Sequence, residues 1–414
     1  MKHSVKSVFC LYISIRALDE YHFPQKSAAS EAVYEGCALK LTDYFGQRAL
    51  MRMASDEFAL LLYFPAEVGQ SEEKRQTHQQ HICQKLVGEL EAVIDSYTHS
   101  LILPFSLSIG CGASGIRYHA QTIEQLIDLA YYAEQEARAS HKAYLVADVA
   151  IQARKLDMDE CRKGFRVKGW EKEFTPFYQP IVDLQSFAIL GAEALARWQL
   201  GGFRIIAAHV FKDIAQQMHL IQTIDTLIIG KTCTAVERMS ANNLLKDPFK
   251  VVFNVSDESL QQGFADWLYQ LVSKRNLVPA DVELDINESA LYSPLCLAVI
   301  TQLKQFGFRI SLDAFTEKAF DLRLLMRTEF DVIKLDFSIY SAGLAPIYAS
   351  LVQTAKQRGI EVLAKGIEDG TTLQAAKRFG CTYAQGNYFT PPIPESAYSL
   401  FMQKYRDGVC VGLF

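Results

Sequence analysis

The chain has 414 residues, half of them apolar and 21% charged, with a formal net charge of -5. That is enough apolar sequence for two or three domains with cores of their own, and the slightly acidic balance excludes a general attraction to phosphate backbones or anionic membranes, so nucleic acid is not an expected partner. Nine cysteines without any C-x-x-C spacing exclude a disulfide framework and a structural zinc site, and most are read as small buried residues of a reducing, cytoplasmic compartment. The apolar run 7–15 is too short to cross a bilayer and no cleavage site follows it, so neither a membrane segment nor a signal peptide is expected.

The first element is a buried strand over 8–15, where nearly every position is apolar. A helix follows with Val33, Cys37, Leu41, Tyr44 and Phe45 at helical spacing and Gly46 where a C-terminal cap belongs. Strands at 49–53 and 58–63 are so close that only a hairpin through Ala54, Ser55 and Asp56 can join them. A longer helix carries Ile82, Leu86, Leu90, Ile94 and Tyr97, before a strand over 103–111, a helix over 123–137 and a last strand over 143–146. The order βαββαβ with extra helices predicts a ferredoxin-like α/β sandwich over residues 1–150.

Residues 151–169 are rich in Lys, Arg, Asp and Glu without a sustained apolar stripe, and are assigned to the connection between domains. Over 170–414, short apolar strands recur at 177–182, 189–195, 251–255, 282–286, 309–313, 332–335, 361–364 and 383–385, mostly separated by helix-sized amphipathic segments. Eight strands in that pattern predict a (β/α)8 TIM-type barrel, in which active sites gather at the C-terminal ends of the strands. Those ends carry Glu193, Asn254, Asp285, Asp313, Lys334, Lys365 and Gln385. A single polar residue after a strand is ordinarily a solvated loop start, whereas seven on one rim make a candidate site. Oxygen donors from Glu, Asp and Asn are what hard divalent cations require, and two such cations could clamp a phosphodiester during in-line displacement.

The segments Phe177-Tyr178-Gln179-Pro180-Ile181-Val182-Asp183 and Gly191-Ala192-Glu193-Ala194-Leu195-Ala196-Arg197-Trp198 resemble the opening of an EAL-type cyclic di-GMP phosphodiesterase. The likeness continues in the family's order through Phe253-Asn254-Val255-Ser256, residues 283–289, Ile333-Lys334-Leu335-Asp336, residues 362–368 and residues 384–389. By that resemblance Glu193 and Asn254 occupy metal-binding positions, Asp285 stands in for a longer Glu, Asp313 is the first of two paired aspartates, and Lys334 is the lysine that orients the attacking water. The chain departs from the pattern at Ala314, in place of the second aspartate, and at Lys365, in place of a metal-ligating glutamate. At ~4 Å and an effective dielectric near 20, an ammonium facing a divalent cation is repelled by roughly 8 kcal/mol. Two-metal catalysis is therefore not expected, no metal or other cofactor is assigned, and Lys365 is read as neutralising Glu193, Asp285 and Asp313 in a metal's stead, or else as a lysine snorkelling at the rim. Residues 314–320 also depart from the family's glycine-containing loop, which puts family-style dimerisation in question.

The hairpin Ala54-Ser55-Asp56-Glu57-Phe58 resembles the Gly-Gly-Asp-Glu-Phe turn of diguanylate cyclases, as do Arg52, residues 59–62 and Ser106-Leu107-Ser108-Ile109-Gly110. Side chains on Ala54 and Ser55 would intrude where the family's bare backbone meets guanine nucleotide, and the first strand ends in Ile13-Ser14-Ile15-Arg16 rather than in a carboxylate. Asp56 and Glu57 also read as ordinary solvated turn residues. No cyclase activity is expected.

The leading expectation is a degenerate GGDEF–EAL regulator that is not an enzyme and acts by contact with an unidentified protein partner in bacterial signalling. The alternative is a metal-independent cyclic di-GMP receptor using Gln179, Leu195, Arg197, Lys365 and Gln385, with the Arg197 guanidinium suited to phosphate oxygens. Against this, Arg197 could simply pair with a barrel carboxylate. A residual phosphodiesterase is the third reading.

Overall fold

The structure, a computed structural model, describes residues 6–17, 28–46, 50–65, 72–100, 107–115, 120–140, 142–245, 248–313 and 329–406. It divides into two units, Met1–Asp159 and Glu160–Phe414, with the division inside a helix, Val149–Gly164.

In the first unit the apolar run becomes β1 (Lys6–Ala17), the centre of a five-stranded sheet. With β2 (Leu50–Arg52), β3 (Glu57–Pro65), β4 (Leu107–Gly115) and β5 (Tyr144–Val146), the sheet order is β2-β3-β1-β4-β5. β1 is antiparallel to β3 and β4, and β5 is parallel to β4. Alternation along β1 serves both faces: Phe9, Leu11, Ile13 and Ile15 pack with residues of the helices Ala28–Phe45 and Glu72–Ser100, while Cys10 and Tyr12 join Leu126 and Ala130 of Ile123–Ala139. Of the strand expected at 103–111, residues 107–111 are strand and it continues to Gly115, while 103–106 lie outside the described residues. Its low-propensity Gly112-Ala113-Ser114-Gly115 end is strand because the helix behind it comes within backbone contact: a Cβ on Gly112 would lie 2.0 Å from the Ala130 carbonyl oxygen.

The second unit closes a barrel from β6 (Phe174–Asp183), β7 (Ile189–Leu200), β9 (Lys250–Val255), β10 (Val282–Asn287), β11 (Arg309–Asp313), β12 (Val332–Asp336), β13 (Glu361–Lys365) and β14 (Tyr383–Ala384). All eight expected strands are present. β7 and β9 through β14 run parallel, whereas β6 is antiparallel to both its neighbours, β7 and β14. The expected TIM-type barrel holds except in the direction of β6, because only residues 184–188 join β6 to β7 and a parallel crossover needs about a dozen residues or more. Two short strands that the sequence did not suggest, β8 (Arg204–Ala207) on β7 and β15 (Ile393–Pro394) on β6, extend the sheet beyond the ring.

Ile181, Val252, Val332, Leu363 and Tyr383 fill the barrel interior. At the N-terminal ends of the strands, Arg309 pairs with Glu283 at 3.4 Å and with Glu361, and Lys250 reaches Glu361 at 3.6 Å, which ties that end shut. Where β14 stops, Gly386 passes so close to Ile367 that a Cβ would sit 2.1 Å from its carbonyl oxygen and 2.4 Å from its nitrogen. Both contacts are with backbone and cannot yield, so Gly386→Ala should cost about 3 kcal/mol of stability, read as a lowered urea midpoint at unchanged slope. Unaltered stability would mean that this approach is not tight.

No helix among the described residues is long and apolar enough to cross a membrane. Among the described residues seven cysteines are buried and free, as expected for small core residues.

Candidate functional site

Strand register gathers the rim. β10 sets Asp285 beside Asn254 of β9 on one side and Ser311 of β11 on the other, and β11 sets Asp313 beside Lys334 of β12. The Glu193 carboxylate is buried and fully engaged, one oxygen accepting from Asn254 Nδ2 at 2.6 Å and the other from Gln385 Nε2 at 2.7 Å. Asp285 is equally committed: Oδ1 accepts from Ser311 Oγ at 2.9 Å and Oδ2 from Lys334 Nζ at 2.8 Å. Lys334, 1% exposed, also lies 3.4 Å from Glu193 Oε1. Lys365, at the end of β13, donates to Asp313 Oδ1 at 2.5 Å. Lys365 thus pairs directly with Asp313, and the ammonium in contact with Asp285 and Glu193 is that of Lys334, which lies deeper in the barrel. This differs from the sequence reading, which gave all three carboxylates to Lys365.

The electrostatics follow from burial. Burial opposes ionisation of Glu193, but Lys334, the two amide donors and Lys365 outweigh it and hold the carboxyl below the usual range. For Asp285 burial wins, helped by Asp313 and Glu193 against the pull of Lys334, and its pKa is pushed up to about 7. Burial disfavours the charged form of Lys334 as well, yet Asp285 and Glu193 hold it protonated well above the ordinary lysine range.

Among the described residues no three His, Cys, Asp or Glu side chains come together as a cation cage. Both oxygens of Glu193 and of Asp285 already accept from side-chain donors, and an ammonium sits on Asp313. The divalent cations implied by the family resemblance do not fit this donor set as it is arranged. Ala314 and the rest of 314–320 lie outside the described residues.

Of the other candidates, Gln179 is buried and donates to the Thr390 carbonyl at 3.1 Å. Leu195 lines a cavity of ≈ 140 Å³ that Asn254 and Asp285 share, so it opens on the same site. Arg197, two residues further along β7, is half-buried; it donates to the Ala196 carbonyl at 2.9 Å and lies 5.8 Å from the centre of the Phe177 ring. No carboxylate pairs with it among the described residues, contrary to the alternative in which a barrel acid holds it. Burial lowers its pKa against a pull upward from Glu193.

The cavity also brings in residues that strand-end reasoning could not find, since they lie on helices: Phe211 and Lys212 of Ala208–Gln217, and Asp225 of Ile221–Ala241. One Asp225 oxygen accepts from the Ser256 amide at 2.9 Å and from the Ser256 and Ser259 hydroxyls, both at 2.7 Å. Burial nonetheless raises its pKa, against those bonds and the charge of Lys212.

In the first unit, Ala54 and Ser55 are exposed at the hairpin, Phe58 is buried, and the Asp56 carbonyl accepts from the Ile15 amide at 2.8 Å. Glu57 accepts from the Tyr12 hydroxyl at 2.8 Å and so is more than a solvated turn residue. Ser14 donates to the buried Glu134 at 2.5 Å, a carboxylate that the sequence reading did not single out because it comes from a helix far along the chain.

Residues 166–392 match the EAL domain, more than half of the chain. The chain belongs to the EAL domain family. The biofilm architecture maintenance protein MbaA of Vibrio cholerae is 24% identical over 359 residues, 84% of this chain and 43% of that protein. The probable cyclic di-GMP phosphodiesterase PdeI of Escherichia coli K12 is 31% identical over 227 residues, 53% of this chain and 29% of PdeI. The solved structure of the PaMucR phosphodiesterase in complex with c-di-GMP superposes with a TM-score of 0.53 at 22% identity, over 59% of this chain and 99% of that one, a likeness of fold. The chain spans about half the length of the curated relatives it matches. These findings overturn the expectation of a non-enzyme: EAL is an enzyme family whose relatives are named cyclic di-GMP phosphodiesterases.

Proposed function

We propose that the EAL barrel takes cyclic di-GMP at its C-terminal rim and meets the ligand's phosphates with side-chain cations. The observation that carries this reading is Arg197, a half-buried guanidinium with no carboxylate partner among the described residues, on the strand that supplies Glu193 and beyond Leu195 of the cavity wall. Lys365, anchored to Asp313 and still partly exposed, can turn an N–H toward a phosphate oxygen. Gln179 and Gln385 add polar lining within the same barrel. A named neighbour in complex with c-di-GMP supports the same ligand.

The relatives' names favour a second reading for the same ligand, hydrolysis to the linear dinucleotide. One calorimetric titration with cyclic di-GMP, followed by chromatography of the mixture, tests both. Arg197→Ala should weaken binding by at least tenfold, and linear product in the wild-type mixture would establish the catalytic reading. Wild-type affinity in Arg197→Ala would contradict the assigned site. Because Asp285 gains its charge as pH rises through about 7, affinity for this anionic ligand should fall between pH 6 and pH 8.

For the first unit, residues 1–150, a GGDEF-like reading rests on the strand order and on the hairpin at 54–58. Residues 151–169 are then the connection to the barrel. A protein partner that reads the liganded barrel is the form in which the regulatory role is kept.

A further inference from the structure

We propose that Lys212 is a further ligand-binding residue of the rim, taking a phosphate oxygen of the cyclic dinucleotide that the preceding reading assigns to this site. The inference rests on that reading and on three observations.

First, the backbone aims this residue at the site. Ala207 ends β8 opposite Arg197 of β7, and the helix Ala208–Gln217 starts at the next residue. Ala208, Phe211 and Lys212, at helical spacing of three and four, turn one face of that helix to the cavity that Asn254 and Asp285 share. Second, much of the cavity wall beside Lys212 is apolar, although Asp225, Asn254, Ser256, Asp285 and Asn287 also line it. Leu195, Phe211, Ile221 and Ile224 line the same space, and Lys212 is half-buried among them. An ammonium partly withdrawn from water there gains most from an anionic partner.

Third, the charges at the rim are unequally committed. Lys334 is held by Asp285 and Glu193, and Lys365 by Asp313. Arg197 and Lys212 form no ion pair among the described residues. Asp225 lines the same cavity and feels the charge of Lys212, but its hydrogen-bonded oxygen is bound by Ser256 and Ser259 instead. A cyclic dinucleotide presents two phosphodiester anions, and these two cations can receive them without giving up an ion pair. Strand-end motifs reveal only one of the pair, because Lys212 comes from the helix after β8.

The test is calorimetric titration of the full chain with cyclic di-GMP at low and high salt, using wild type, Lys212→Met, Lys212→Arg and, separately, Arg197→Ala. Lys212→Met keeps the aliphatic stem and should melt with the wild type. It should bind roughly tenfold more weakly, and its affinity should depend less on salt. Lys212→Arg should stay within about threefold of wild type. Wild-type affinity and salt dependence in Lys212→Met would overturn the inference alone, leaving Lys212 a lysine that snorkels to solvent. A wild type that binds no ligand, with Arg197→Ala equally silent, would remove the underlying reading and this inference with it.

Discussion

Lys334→Met should be the most damaging single change in the barrel, lowering stability by about 3–5 kcal/mol near pH 8, because it leaves two buried carboxylates without their cation. The pH dependence identifies the cause. The folded pKa of Lys334 is raised, so its contribution is complete below the ordinary lysine range and is lost only in strong alkali. The folded pKa of Asp285 is raised to about 7 from an unfolded value near 4, so its protonation favours the folded state in acid and that contribution is lost as pH rises through 7. Without Lys334 the Ser311 hydroxyl is left as a donor to Asp285 but no contacting cation offsets its burial, and its carboxyl stays protonated to higher pH. The deficit of Lys334→Met should therefore shrink between pH 8 and pH 5. Urea unfolding at the two pH values checks this; an equal deficit at both would mean that the carboxylates carry no charge for Lys334 to balance.

Lys365→Glu is expected to change what the rim binds. The substitution removes the ammonium from Asp313 and adds a carboxylate near Asp313, Asp336 and Asp285, whose charges all act on Lys365. Affinity for Mg2+ should rise at least tenfold, since a repulsion of several kcal/mol becomes an attraction. The variant should be less stable than wild type in EDTA and regain stability on addition of Mg2+, as binding to the folded state alone requires. Calorimetry with Mg2+ and melting curves with and without it are the measurements. Equal Mg2+ affinity in wild type and variant would show that Lys365 does not govern cation binding here.

The barrel was legible because its strands are short apolar runs with a polar residue at or near the end, which marked Asn254, Asp285, Asp313, Lys334, Lys365 and Gln385, whereas β7 runs on to Leu200, well past Glu193. The reversed direction of β6 was also within reach, through the five residues that separate it from β7, had that spacing been weighed against the length of a crossover. Likewise Gly201-Gly202 marks the turn into β8, with φ of 65° and 83° at the two glycines, a signal the reading passed over. Other features were not legible. The strand character of 112–115 comes from a helix packed against bare backbone, which no local propensity encodes. Lys334 and Lys365 were both visible as rim residues, but which carboxylate each one holds depends on strand register and depth. Lys212 and Asp225 enter the site from helices, and only the folded chain shows that they line its cavity.

The central claim is that side-chain cations, rather than bound metal, receive the ligand's phosphates. Titrating cyclic di-GMP into EDTA-treated protein, and again with Mg2+ restored, tests it most directly. The account predicts the same dissociation constant in both, with Arg197→Ala weakened equally in each. Binding that appears only when Mg2+ is present would contradict it.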